Sequence, residues 1–331
     1  MVQTLDPAAA PNTQSKVKRA SQKAMKSLRK GGLRLPDAVN RWHIRWSVAG
    51  SLLALHLLAM ASVVPWLFSW TGLILTGVGC YVFGSLGINL CYHRLLTHRS
   101  FTCPRWLEWG LTLIGFCNLQ GSSIHWVAAH RMHHQHSDQH PDPHSPMVDF
   151  IWSHVGWLVV QNPSTDTVEG YSRYAGDLCR SPFHRELERK QRWLWVWLAH
   201  VLLIYGAGMV IGWTVTGRWL DGLQLGLSWL VWAVFVRMVI VWHITWAINS
   251  VTHLWGYRNY NTSDNSRNNW LLGYLGMGEG WHNNHHADQR SAAHGHRWWE
   301  LDITYLTILW LKMLGLASNI MKPSRHTGAR P

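Results

Sequence analysis

The sequence predicts an all-α integral membrane protein, with four transmembrane helices in two hairpins and a cytoplasmic helical cap that gathers histidines into a metal site. Three observations predict it. Apolar stretches of roughly 20 residues, the length that crosses a bilayer core, recur along the chain. Only 14% of the 331 residues are charged and 24 are Trp, whereas soluble domains carry about a quarter charged residues. The spacing H-x-x-H-H occurs twice, at His130–His134 and His282–His286, with the pair His93 and His98 upstream. A mean hydropathy of -0.07 understates the apolar content, because His, Trp and a basic N-terminus all score as polar. Windowed hydropathy is the better guide.

Residues 1–40 lack apolar periodicity and carry Lys16, Lys18, Arg19, Lys23, Lys26, Arg29, Lys30 and Arg34. No apolar stretch follows these charges closely enough for a signal peptide, so this is read as a poorly ordered basic cytoplasmic arm. It precedes a membrane domain over 41–320 and a tail over 321–331. The first span is expected at about 44–70 and the second at about 73–92, joined by a turn near Thr71 and Gly72. Positive charge before the first span keeps the N-terminus inside. The segment 107–119 is too short to cross and suits a buried or interfacial helix. The third span is expected at about 193–215 and the fourth at about 223–248. Two hairpins make an even number of crossings, so all the histidine clusters emerge on one side.

The net charge of +13 comes without a nucleic-acid motif and reads as juxtamembrane basicity rather than a nucleic-acid surface. Five Cys with no C-x-x-C pair argue against a disulfide framework or a thiolate metal site. On a helix, His130, His133 and His134 lie at i, i+3 and i+4, which puts three imidazoles on one face. Neutral imidazoles suit a borderline transition metal, whereas protonated ones would repel one another. Asn249 and His253 have the same i, i+4 relation at the inner end of the fourth span.

His93-Arg94-Leu95-Leu96-Thr97-His98, His130-Arg131-Met132-His133-His134 and Gly278-Glu279-Gly280-Trp281-His282-Asn283-Asn284-His285-His286 resemble the three histidine boxes of membrane fatty acyl desaturases. The Δ9, stearoyl-type branch is the closest in pattern. Ser85-Leu86-Gly87-Ile88, Asp142-Pro143-His144, Ser153-His154-Val155-Gly156-Trp157, Asn249-Ser250-Val251-Thr252-His253 and His294-Gly295-His296-Arg297-Trp298-Trp299-Glu300 also fit, so the resemblance covers about residues 40–315. It implies a centre of two iron ions that activates O2 and inserts a cis double bond, Δ9, into a saturated C16–C18 chain. The implied ligands are His93, His98, His130, His133, His134, His253, His282, His285 and His286, with Asn249 acting through a water. The chemistry agrees, since removing hydrogen from an unactivated methylene needs a metal-activated oxidant. This many imidazoles would over-supply a tetrahedral zinc.

Glu279, Asp142, Glu300 and Asp302 are expected to orient ligand rings through their free N–H groups. His125, His136, His140, His144, His154, His294 and His296 fall outside the ligand pattern, and Arg237 sits within the fourth span. Tyr81 and Ser85 match the family positions that close the far end of the substrate tunnel, and Trp126 is expected to line it.

Acyl-CoA desaturases carry basic pairs where this chain has Ala128-Ala129 and Gln161-Asn162. Phosphate recognition relies on Arg and Lys, so a lipid-bound acyl chain is favoured. Acyl-CoA or an acyl carrier protein, met by Arg180, Arg185 or Arg189, is the alternative. No G-x-G-x-x-G, iron–sulfur or haem motif is present, so electrons come from a ferredoxin or a cytochrome b5-like partner. Membrane lipid surrounds the protein, placed in a bacterial inner membrane with both termini and the site cytoplasmic. A hydroxylase or acetylenase could use the same site. A histidine-rich metal transporter is the reading from another class, and it would instead place the ionisable groups at mid-membrane.

Overall fold

The computed structural model describes residues 32–164 and 166–324; most of the basic arm and residues 325–331 of the tail lie outside these. Among the described residues there is no β-strand, only isolated bridges such as Ile44 to Val160. The main helices are α1 Trp46–Val63, α2 Trp70–Thr97, α3 Arg105–Phe116, α4 Ser123–His136, α5 Val168–Arg180, α6 Pro182–Glu188, α7 Trp193–Thr216, α8 Trp219–His253, α9 Trp270–Leu275, α10 His282–Ala287 and α11 Ile303–Met313, with a short helical stretch, Trp152–Gly156 and Trp157–Val159, between α4 and α5. Four of them, α1, α2, α7 and α8, are long and apolar enough to cross a membrane. The expected all-α architecture with four such helices is therefore the one the chain adopts.

The first hairpin turns earlier than expected. Pro65 opens a short 3-10 turn at Pro65–Leu67, where its missing N–H costs nothing. Ser69 then caps α2, its side chain accepting from Gly72 N at 3.0 Å. Thr71 and Gly72 thus belong to the first turn of α2 rather than to the connection. The second hairpin needs only Gly217 and Arg218, with Gly217 at φ 71° ending α7. Here α7 and α8 pack backbone to backbone. A Cβ at Gly222 would lie 2.5 Å from Met209 O, so a small residue is required for the close approach.

Burial separates the helices into two kinds. Only 11% of the most apolar window is buried in α1 and in α7, against 39% in α2 and 56% in α8. Leu53, Leu57, Leu203 and Val210 face outward, which suits hydrocarbon rather than water. Exposed Trp46, Trp66, Trp70, Trp195, Trp213 and Trp219 sit at the helix ends, where indole rings favour the membrane interface. Arg237 in α8 is fully buried, donating to Cys117 O and to Asn118 Oδ1 at 2.8 Å beneath the Phe83 ring. It finds carbonyl partners inside the bundle rather than reaching for the interface.

From Cys80 onward α2 is wound as a π-helix to Thr97, so it runs past the expected end at residue 92. The winding has a consequence for the site. Residues five apart on an α-helix stand about 140° apart. A helix closed by i→i+5 bonds, such as His98 N to His93 O at 3.1 Å, stacks them nearly over one another. His93 and His98 therefore face the same way.

Candidate metal centre

Each histidine motif reaches the site through its own helix. Ser122 caps α4 by accepting from His125 N at 3.1 Å, so α4 presents His130, His133 and His134 in regular register. The short α10 is clamped from behind by the two asparagines of its motif. Asn284 donates to Glu300 Oε2 at 2.7 Å and to His294 O at 2.8 Å, and Asn283 Oδ1 accepts from Tyr260 N at 2.8 Å. Glu300 was expected to orient a ligand ring; it holds the helix instead.

Two groups of imidazoles result. In one, ligand atoms of His93, His98, His130, His134 and His285 all lie within 4.8 Å of one another; in the other, those of His133, His253, His282 and His286 do. A metal–imidazole bond is about 2.1 Å, so atoms on opposite sides of one ion stand about 4.2 Å apart. Each group has the span of a single coordination sphere. The two H-x-x-H-H motifs are used in opposite senses. α4 sends its i and i+4 rings to the first group and its i+3 ring to the second, whereas α10 sends i and i+4 to the second and i+3 to the first.

Four carboxylates hold the rings from outside. Glu279 accepts from His93 Nδ1 at 2.5 Å, Asp142 from His133 Nδ1 at 3.0 Å, Asp138 from His253 Nδ1 at 2.9 Å and Asp264 from His286 Nδ1 at 2.5 Å. An Nδ1–H given to a carboxylate leaves Nε2 as a bare lone pair. His133 Nε2 and His286 Nε2 are buried with no hydrogen-bond partner. His253 Nε2 faces His282 Nε2 at 3.1 Å, and His93 Nε2 faces His285 Nε2 at 3.1 Å. Nitrogens left this way call for a cation between them, so the residues fit a pair of transition-metal ions.

Electrostatics favour the neutral rings a metal needs. Burial, reinforced by neighbouring imidazoles, pushes His98, His130, His134, His282 and His285 well below the ordinary histidine range. His286 is pushed down to about 4 by burial, against the pull of Asp264. At His133 burial acts the same way, but the nearby carboxylates, Asp142 foremost with Asp138 and Asp264 behind it, together outweigh it and raise the pKa. A cation at Nε2 would neutralise that negative field. Asp264→Asn keeps the shape of the acceptor but removes its charge. We expect metal affinity to fall about tenfold to a hundredfold, read as faster metal loss to a chelator; unchanged retention would show that the charge does not matter.

Asp138 and Asp264 were not anticipated. Asp138 stands in the polar run after α4, and Asp264 in a loop with no histidine near it in sequence; only the fold brings them to His253 and His286. Asp302 acts at one remove, accepting from Arg94 Nη1 at 2.9 Å while Arg94 Nη2 donates to Glu279 at 2.8 Å. Among the remaining histidines, His144 stacks on His133 with ring centres 4.4 Å apart, and His294 lies 3.4 Å from Glu279. Burial first, then His133, pushes His144 down to about 3. His125, His136, His140, His154 and His296 join neither group.

Both groups border one cavity of about 490 Å³, reached by His93 and His130 from the first group, by His282 from the second and by Asn249. His253 occupies a terminal 3-10 turn, Val251–His253, so it joins the second group while Asn249 faces the cavity. Trp126 lines the cavity, and its Nε1 donates to Gln120, which donates in turn to Thr245. The expected end wall is different. Tyr81 and Ser85 do share a face, but their hydroxyls meet Thr307 at 2.9 Å and Thr304 at 3.0 Å on α11, and neither lines the cavity. From α2 the cavity wall takes Ile88, Asn89 and His93 instead. Arg180, Arg185 and Arg189 are exposed and none lines it.

The family model for fatty acid desaturase matches residues 64–311. The chain is 42% identical to an sn-1 stearoyl-lipid 9-desaturase of Anabaena variabilis, over 84% of this chain and 94% of that protein. It is 40% identical to an sn-2 palmitoyl-lipid 9-desaturase of Nostoc sp., over 86% and 93% respectively. A Synechocystis sn-1 stearoyl-lipid 9-desaturase is 38% identical over 84% of this chain and 80% of its own length. With most of its length matched, and with histidine clusters and membrane-length helices built as that chemistry requires, the chain belongs to the fatty acid desaturase family and is an oxidoreductase acting on fatty acyl chains.

Proposed function

We propose that this protein is a Δ9 acyl-lipid desaturase of a bacterial inner membrane, with its site on the cytoplasmic side. The ligands of its two irons are His93, His98, His130, His134 and His285 at one ion, and His133, His253, His282 and His286 at the other, with Asn249 acting through a water. The observation that carries this reading is that both imidazole groups open onto the same largely apolar cavity. The Δ9 position and the lipid carrier are supported by the names of the cyanobacterial relatives. Uncharged Ala128-Ala129 and Gln161-Asn162 add to the case for a lipid carrier.

Two irons held there would supply O2 activation and the power to remove hydrogen from an unactivated methylene. The chain's own residues set the stage. Glu279, Asp142, Asp138 and Asp264 fix ring tautomer and orientation from behind. Trp126, Trp242 and Trp246 wall the cavity, excluding water and holding the acyl chain beside the imidazoles. Each turnover converts one saturated carbon pair, one O2, two electrons and two protons into a double bond and two waters. The electrons come from a ferredoxin or a cytochrome b5-like protein.

Two results test this. Purified protein should hold two irons per chain by metal analysis, and membranes of an expressing host should gain lipids unsaturated between carbons 9 and 10. One zinc and no iron, or a double bond elsewhere, would overturn the corresponding part.

A further inference from the structure

The cavity has an outer end as well as a metal end, and its chemistry is distinctive. Of the residues lining it, Ser47 and Ser51 on α1, Gln191, and Leu194 on α7 are exposed. The opening therefore lies between the first turns of two membrane-length helices, whose outer faces are apolar. A chain still attached to a bilayer lipid can slide in sideways there without leaving the membrane.

The charges that line the cavity do not suit a phosphate, and the cations Arg189, Lys190 and Arg192 beside Gln191 are exposed and lie off its wall. Arg45 is the only Arg or Lys lining the cavity among the described residues, and Asp166 already engages it at 3.2 Å. Glu188 also lines the cavity, and its Oε2 is buried with no hydrogen-bond partner. A buried carboxylate oxygen left open calls for a donor and repels an anion.

Building on the lipid-bound reading above, we propose that Glu188 selects the headgroup of the substrate lipid, favouring one that donates hydrogen bonds and carries no net negative charge. Sugar hydroxyls and an ammonium both have this chemistry. Coenzyme A and anionic phospholipid do not.

The test uses the full-length enzyme in vesicles, supplied with reduced ferredoxin. The stearoyl chain is offered in a monoglycosyl diacylglycerol, in phosphatidylethanolamine, in phosphatidylglycerol, or as the headgroup-free methyl ester that normalises each preparation. One or both of the uncharged and ammonium-bearing lipids should be desaturated at least about tenfold faster than phosphatidylglycerol, since a factor of ten needs only about one unfavourable charge contact. The faster of the two names the donor. Glu188→Lys should abolish or invert that order. If this variant loses methyl-ester turnover as well, Glu188→Gln takes its place and should narrow the ratio. Phosphatidylglycerol used as fast as the others by the unmodified enzyme, or an order unchanged by the substitution, overturns the proposal. Conversion of stearoyl-CoA with no conversion of any lipid would instead overturn the lipid-bound reading on which it rests.

Discussion

His133→Ala leaves the protein inserted in the membrane and reduces desaturation to background. His133 contributes one of only four imidazoles in its group, and its Nε2 has no other partner. Removing it also takes the ring donor from Asp142, a fully buried carboxylate that then keeps the backbone N–H donors of Asp138 and His144. Loss of a supporting carboxylate alone costs about tenfold to a hundredfold in such sites, so loss of a ligand exceeds the upper figure. His285→Ala should behave alike from the other group, whereas His140→Ala, on an exposed residue outside both, should retain activity. The measurement is product lipid per unit of membrane-inserted protein. Substantial turnover by either ligand variant would mean that the groups do not hold the reactive metal.

Arg94→Met is expected to cost about 3–5 kcal/mol of stability, the penalty for breaking a buried ion pair on one side only. Arg94 is fully buried next to a ligand, and bonds Glu279, Asp302 and Ala292 O together. Through these it ties the first histidine motif to the third and to the start of α11, whose first turn Asp302 caps at Tyr305 N, 2.8 Å away. Without the guanidinium, two carboxylates remain buried, and Glu279 is no longer held in place for His93. Arg94→Lys restores the charge but not the planar fork, and should recover only part of the loss. Thermal unfolding in detergent, followed alongside metal content, reads both effects. An unshifted transition for Arg94→Met would remove the network from any account of what stabilises the fold.

Much of this architecture is legible in sequence because it follows from periodicity. Hydropathy marks the membrane-length helices, and 3.6-residue winding makes the H-x-x-H-H spacing of α4 an arrangement on one side of a helix. The pair His93 and His98 is less transparent, because on an ordinary α-helix the two would diverge. Only the π winding of α2 aligns them. Asp138 and Asp264 escape notice for a related reason, since each is an isolated acid that reaches its imidazole across a non-local contact. The shared face of Tyr81 and Ser85 was readable, but not the neighbour that takes it, which depends on where α11 returns to the bundle. Glu188, at the end of the short α6, carries no periodic signal that would mark it.

The crossed use of α4 and α10 has a consequence for biosynthesis. Neither imidazole group can be completed from the N-terminal two-thirds of the chain, because each needs rings from α10. Ribosomes add about 5–20 residues per second, so roughly 10–40 s pass between the emergence of His98 and that of His286. During this interval His93, His98, His130, His133 and His134 are present as partial sets, able to pick up whatever divalent ion is abundant. Correct loading must therefore wait until the nascent chain is nearly finished, and a cell short of the proper metal at that moment would accumulate inserted but mismetallated enzyme.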